Sequence, residues 1–318
     1  PGPGGAWEAI RSKVMDAQRT NEGQAAPSRG APGRGFHGPS DLHMHSVLSD
    51  GTEPPAEVVE AAHRHGMRTM ALTDHDTTAG WDEAAQAATS LGMTFLPGME
   101  LSAKHEWRSV HILAYLFDPT HAGLLAETDR IRDSRLGRAE TMVNSIARDY
   151  AITWDDVLAQ TSDGATVGRP HIADALVARG HASDRSAAFA EILHPSRGYF
   201  VSHYAPDPAL AVSLIVEAGG VPIIAHPVTS GRERMLPMHV LRELIDLGLG
   251  GFEIDHRENT EDGKKVLRRL VAEHDLIVTG SSDYHGTGKP NVPGEFTTSD
   301  DMVARIIARA TGSAPVYP

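Results

Sequence analysis

Nine side chains able to bind a divalent cation are spread over most of this 318-residue chain: His43, His45, Asp50, His75, Glu100, His111, His226, Asp283 and His285. In Asp41-Leu42-His43-Met44-His45-Ser46, an extended backbone would send both imidazoles to one face, where a single cation could take both. Ser281-Ser282-Asp283-Tyr284-His285 repeats that spacing. A lone His-x-His says little, and each segment has an ordinary alternative. Asp50 before Gly51 suits a turn, His111 in Val110-His111-Ile112 suits a core histidine, and Glu100 suits a solvated loop. Jointly the nine point to a multinuclear metal centre. His63-Arg64-His65 is the internal control: it has the same spacing but a helical context, so its rings diverge and it receives no role. Such a centre suits phosphate-ester hydrolysis, because cations a few ångströms apart both deprotonate a bridging water and neutralise the transferring phosphoryl group. Glu100 could offer one oxygen to each of two ions. Asp41, Asp74 and Asp76 could orient ligand imidazoles or serve as caps and turns.

The elements that must bring these residues together alternate in type. Short apolar runs at Leu42, 67–73, 94–99, 110–117, 221–225, 251–254 and 276–280 read as strands. Amphipathic stretches at 56–65, 80–91, 208–218, 236–247, 260–274 and 300–310 read as helices. That is a βαβ pattern of about seven strands, six of them carrying a candidate ligand at or beside the strand. A closed parallel α/β barrel, with its site at the C-terminal strand ends, explains how such distant segments converge. Between 118 and 205 the strand signal gives way to helices, the longest over about 124–150, which predicts a helical insertion covering the barrel mouth. The expected organisation is a flexible tail over 1–38 with one short helix near 7–18, a first barrel part over 39–117, the insertion, and a second barrel part over 206–318.

Composition narrows the alternatives. The chain has no cysteine, so a metal would rest on imidazole and carboxylate, which suits zinc, manganese or iron. A formal charge of −13, from 29 basic and 42 acidic residues, disfavours a broad nucleic-acid surface and predicts no stable nucleic-acid partner. No run approaches a membrane span and the start lacks a signal-peptide core, so no membrane association and a cytoplasmic location are expected. For substrate, Arg132, Arg135 and Arg138 recur on one stripe of the long helix and could hold a second phosphate, or form a solvated face paired with Asp129, Asp133 and Glu140. Arg169 and His171, in Gly168-Arg169-Pro170-His171 ahead of a helix, could grip phosphate, with capping as the other role for His171. His256, after strand 251–254, lies near the expected site and could touch substrate. His37, His105, His121, His181, His194, His203, His239 and His274 have no supporting context.

The motifs Asp41-Leu42-His43-Met44-His45-Ser46 with Asp50-Gly51, Thr73-Asp74-His75-Asp76, Gly98-Met99-Glu100, Ala225-His226-Pro227 and Ser282-Asp283-Tyr284-His285 resemble those of the PHP (polymerase and histidinol phosphatase) superfamily. The match spans about 40–286. Gly168-Arg169-Pro170-His171-Ile172-Ala173 resembles a motif of its nucleotide-acting branch, which includes 3',5'-nucleotide bisphosphate phosphatases. The resemblance implies a distorted (β/α)7 barrel with a helical insertion domain, and a trinuclear centre of manganese, zinc or iron. His43, His45, Glu100 and Asp283 would hold one ion, Glu100 would bridge to His111 and His226 on a second, and Asp50, His75 and His285 would hold the third. The implied activity is release of phosphate from small nucleotides, nucleoside 3',5'-bisphosphates or short oligonucleotides, by a metal-bound hydroxide with no side-chain nucleophile. The alternatives are a histidinol-phosphate phosphatase of the same superfamily, or a catalytically silent metal- or nucleotide-binding module.

Overall fold

The computed structural model describes residues 38–229 and 235–318. The expected tail and its short helix thus lie outside the described residues, Gly38 apart. Seven strands form one sheet in sequence order: β1 Ser40–Asp41, β2 Thr69–Leu72, β3 Thr94–His105, β4 Arg108–Tyr115, β5 Val221–Ile224, β6 Gly251–Asp255 and β7 Ile277–Gly280. No ladder joins β1 to β7, but the chain just beyond them does meet. Met44 bridges Tyr284, the His45 N–H donates to the Tyr284 carbonyl at 2.8 Å, and the Ser282 N–H donates to the Asp41 carboxylate at 3.0 Å. The sheet is a nearly closed barrel. Its strands read as unbroken apolar runs because both faces are covered, and β2 and β5 are buried at every position.

Helices coat the outside: α1 Pro55–Arg64, α2 Trp81–Ser90, α7 Pro208–Glu217, α8 Met238–Asp246, α9 Glu261–His274 and α10 Asp300–Arg309. Between them in sequence come α3 Ala122–Ile146, α4 Trp154–Leu158, α5 Arg169–Ala178 and α6 Arg185–Glu191. The expectation of an all-parallel barrel is corrected at one place. β3 continues to His105, turns through Glu106 and Trp107, and returns as β4 antiparallel to it; β4 then pairs antiparallel with β5. Two residues suffice for a hairpin, whereas a parallel return needs a crossover of a dozen or more.

The helices α3 to α6 share a core of Met142, Ile146, Val157, Ile172 and Leu176, with Leu193 from just beyond α6. They are not set apart from the barrel, because α3 serves both cores. Its early residues Leu124 and Ile131 pack with Val212 and Ile215 of α7, and its later ones join the second cluster. Among the described residues no helix is long and apolar enough to cross a membrane.

Candidate metal centre

The nine candidate ligands meet at one end of the barrel, but two of the local readings are corrected. β1 stops at Asp41, so His43 and His45 lie beyond the strand. The bridge from Met44 to Tyr284 keeps that segment extended and the rings still converge, with their Nε2 atoms 3.0 Å apart. Glu100 is not at a strand end. It sits inside β3, and His111 comes from the antiparallel β4 two rungs away, where Ser102 pairs His111 and Glu100 pairs Leu113.

Glu100 is 1 % exposed and divides its two oxygens between different sets of histidines. Oε2 lies 3.2 Å from His43 Nε2 and 3.0 Å from His45 Nε2, and both nitrogens are 3.4 Å from Asp283 Oδ1. Oε1 lies 2.8 Å from His111 Nδ1 and 3.2 Å from His226 Nε2. A third group forms around Asp50, with His285 Nε2 at 3.1 Å from Oδ1 and His75 Nε2 at 3.7 Å from Oδ2. His75 also faces Glu100, its Nδ1 lying 3.4 Å from Oε2. His43, His45, Glu100 and Asp283 offer ligand atoms that all lie within 4.8 Å of one another; so do His45, Asp50 and His75, and so do His75, Glu100 and His111.

Other groups fix which ring nitrogen faces inward. His43 Nδ1 donates to Glu253 Oε1 at 2.9 Å, His45 Nδ1 meets the Ser49 hydroxyl at 3.3 Å, and His285 Nδ1 donates to the Asp283 carbonyl at 2.8 Å. Each holds its Nε2 toward the cluster, and in the neutral ring, the form that binds a cation, that nitrogen offers its lone pair there. His75 Nδ1 and His285 Nε2 are buried and make no hydrogen bond, which is costly unless something else meets them. The backbone is strained at two of the candidate ligands, His226 at φ 31° and Asp283 at φ 55°. At Gly51 any Cβ would come within 2.4 Å of the His45 carbonyl, so the turn carrying Asp50 requires glycine.

The electrostatics are those of a cation site. Burial alone would raise Asp50, Glu100 and Asp283, but surrounding histidines, and for Asp283 also Lys289, hold all three well below the usual carboxylate range. Burial would likewise depress His43 and His45; instead Glu253, Glu100 and Asp283 hold His43 well above its usual value, and Asp283 and Glu100 lift His45 to about 9. The enclosed carboxylates draw positive charge inward. Imidazole and carboxylate donors, two bare inward nitrogens and this field together fit divalent cations.

The aspartates singled out as possible imidazole acceptors do another job. Asp41 accepts from the Ser282 and Gly294 N–H groups, Asp74 from Ser46 and Ser49, and Asp76 from Ser102 of β3, so each ties a segment that carries candidate ligands rather than a ring. Burial pushes Asp41 up to about 6. The buried partner of the rings is Glu253, missed in the sequence, whose other oxygen accepts from the His226 N–H at 2.9 Å. A carboxylate inside the apolar strand Gly251-Phe252-Glu253-Ile254 was the available signal. Lys289 was also missed, and its Nζ lies 2.6 Å from Asp283 Oδ2; no periodicity announces it.

The expected substrate residues are dispersed. Arg135 is committed to Asp76, at 3.1 Å, and to the Ser102 hydroxyl, at 2.6 Å. Arg132 donates to the Gly164 carbonyl. Arg138 is buried and donates to His203 Nδ1 at 2.9 Å, and burial with the nearby Arg135 and Arg169 brings it down to about 9. His203, set aside in the sequence, is therefore part of a cationic corner beside His111, where burial and Arg135 push it down to about 2. The Arg169 guanidinium lies 5.3 and 5.5 Å from the ring centres of Phe189 and Phe200. His171 is buried and caps its helix by accepting from the Gly168 N–H. His256 is fully buried, with Nε2 3.6 Å from Asp283 Oδ2, so it backs the cluster instead of lining its mouth.

The PHP domain family matches residues 41–179. A 3',5'-nucleoside bisphosphate phosphatase of Chromobacterium violaceum is 34% identical over 250 residues, covering 78% of this chain and 88% of the relative. A 5'-3' exoribonuclease of Haemophilus influenzae is 35% identical over 248 residues, covering 77% and 89%. A crystal structure from Bifidobacterium adolescentis, assigned to the metal-dependent phosphoesterases, superposes with a TM-score of 0.84 at 42% identity, covering 87% of this chain and 98% of that one.

Proposed function

From the premise that this chain belongs to the PHP family of metal-dependent phosphoesterases, we propose that it removes phosphate from small nucleotides, nucleoside 3',5'-bisphosphates foremost and short oligonucleotides second, at a centre of three divalent cations. The observation that carries the reading is the division of Glu100, whose two oxygens face separate histidine sets. His43, His45, Glu100 and Asp283 would hold the first cation, Glu100, His111 and His226 the second, and Asp50, His75 and His285 the third. Nitrogen and oxygen donors without sulfur favour manganese, zinc or iron. Bound there, the cations supply a water activated near neutral pH and a Lewis acid for the phosphoryl charge.

The chain's own groups orient and select. Glu253, Ser49 and the Asp283 carbonyl hold three imidazoles with Nε2 inward. His111, His226, His75 and Asp50 keep the more exposed side chains of the cluster, 25%, 20%, 10% and 15%, and so mark the side from which a phosphate approaches. Arg138, next to His203 on that side, is the group we assign to a second phosphate, with Arg169 and His171 further along the helical layer. Arg135 serves by holding Asp76 and β3 in place. The helices of 118–205, between barrel parts 39–117 and 206–318, act in this reading as the cap over the substrate.

The test is one panel. Purified protein loaded with manganese, zinc, iron or magnesium is assayed for phosphate release from nucleoside bisphosphates, nucleoside monophosphates, histidinol phosphate and short RNA, alongside elemental analysis. Bisphosphates should lead, with more than two metals per chain; a preference for histidinol phosphate would overturn the substrate, and one metal with full activity would overturn the centre. Glu100→Gln, which removes the charge shared by two ions, should lose both metal and turnover.

A further inference from the structure

Arg185 makes contacts that the phosphoesterase reading does not use. It begins α6, and its side chain reaches back to α5, where Nε and a terminal nitrogen bind the two oxygens of Asp174 at 2.8 and 2.5 Å. The remaining terminal nitrogen donates to the main-chain carbonyl of Asp50 at 2.8 Å. That same nitrogen lies so close to Gly288 that a Cβ there would come within 2.3 Å of it. One guanidinium thus touches two of the three segments that supply the Asp50 group, the loop of Asp50 itself and the one running on from His285, while His75 comes from a third, after β2. Those loops also bind each other, since the Thr52 N–H donates to the His285 carbonyl at 3.2 Å and the Thr287 N–H to the Thr52 hydroxyl at 2.9 Å. Their carboxylate and imidazole meet at 3.1 Å.

We infer that Arg185, held by Asp174, is a positioning residue that sets Asp50 against His285 for the third cation and so couples the helical layer to that one part of the metal centre. A hydrogen bond to the Asp50 carbonyl fixes the peptide plane, and with it the direction in which the carboxylate leaves the main chain. The side chain is only 13% exposed and the fork is bidentate, so its position is fixed on both sides. Lysine could not replace it, because one ammonium cannot span Asp174 and Asp50 in that geometry. The Arg185 side chain makes its hydrogen bonds to Asp174 and to the Asp50 carbonyl, whereas His43 and His226 are held by Glu253, and Glu100 and His111 by the β3–β4 hairpin.

The inference rests on the three-cation reading, and the experiment separates the two. Metal content and stepwise affinities are measured by elemental analysis and chelator competition for the native chain, Arg185→Ala, Arg185→Lys and Asp174→Asn, with unfolding of each metal-free protein followed by circular dichroism. Fewer than three cations on the native chain would remove the premise itself. With three on the native chain, Arg185→Ala and Arg185→Lys should lose one cation or bind it about 10–100-fold more weakly, leaving two at native affinity. Asp174→Asn should weaken the same cation less. Three cations at native affinity in both arginine variants, or equal weakening of all three, would overturn the inference, the latter because it marks a general stabilising role. Should Arg185→Ala fail to fold, Arg185→Lys decides.

Discussion

Replacing Glu253 by Gln removes one oxygen's worth of acceptor from a site that uses two. Glu253 is fully buried, with Oε1 on His43 Nδ1 and Oε2 on the His226 N–H, each at 2.9 Å. Both partners are donors when His43 presents Nε2 to a cation. Glutamine has one carbonyl oxygen and one NH2 group, so whichever way it turns, one buried donor faces another donor. The lost charge-assisted bond is worth about 1.5–3 kcal/mol, and the stranded donor adds about 1–3 kcal/mol of desolvation. Part of this falls on stability and part on the metal, because His43 either swings or takes the tautomer with its proton on Nε2. For the metal, loss of an orienting carboxylate weakens binding about 10–100-fold. The assay is chelator competition followed cation by cation, beside thermal unfolding with and without metal. Glu253→Gln should weaken the ions on the His43 and His226 sides and leave the Asp50 group unchanged. Native affinity for all cations would refute the reasoning, since the geometry leaves glutamine no way to satisfy both donors.

Asp283→Asn and His45→Ala strike the cluster and should abolish hydrolysis of every substrate, including a generic aryl phosphate, in steady-state assays. Arg138→Ala and Arg169→Ala should instead raise KM for bisphosphorylated substrates roughly ten- to a hundredfold, a charge-assisted contact of about 1.5–3 kcal/mol, and spare the aryl ester. Equal loss on both substrates would place the arginine at the transferred phosphate. His203 supplies a pH prediction. Burial and Arg135 push it from 6.5 down to about 2 in the fold, so the unfolded chain binds its proton first. Its contribution is complete above pH 6.5 and is lost as pH falls from there toward 2, by up to about 1.4 kcal/mol per pH unit. His203→Asn should flatten the stability profile between pH 6 and 4 in urea titrations (about the window set by that shift), and an unchanged slope would show that another group governs it.

The cluster was legible in the sequence because its candidate ligands are of types that apolar strands rarely carry and because they recur beside nearly every strand. Even where the local reading failed, as for the strand expected to hold His43 and His45, the neighbours that replaced it left the rings together. The surrounding shell was less legible. Glu253 has a signal in hindsight, being a carboxylate at a buried strand position, but Lys289 and Arg185 act through loops and helix ends whose spatial neighbours no periodicity encodes. The arginine stripe on α3 shows the limit most clearly. Arg132, Arg135 and Arg138 share spacing and chemistry, yet one meets a carbonyl, one a buried aspartate and one a histidine, because each faces a different element packed on the helix.

The antiparallel return of β4 explains why Glu100 can serve two sides of the cluster. In a parallel βα unit the chain leaves the sheet at the strand end, so a ligand there sits at the rim and is served by its own loop. Here β3 runs on past Glu100 to His105, and the register of the hairpin sets His111 beside Ser102, two residues along from Glu100. The carboxylate therefore lies between His43 and His45 from the β1 end and His111 and His226 from the β4 and β5 side. Asp76 strengthens this arrangement: it binds the Ser102 N–H and hydroxyl, and Arg135 of α3 in turn binds both Asp76 and that hydroxyl. Arg135→Met should accordingly weaken the cations that share Glu100 without changing selectivity between mono- and bisphosphates. A selective loss of the bisphosphate would instead assign Arg135 to the substrate, against the two contacts that now occupy it.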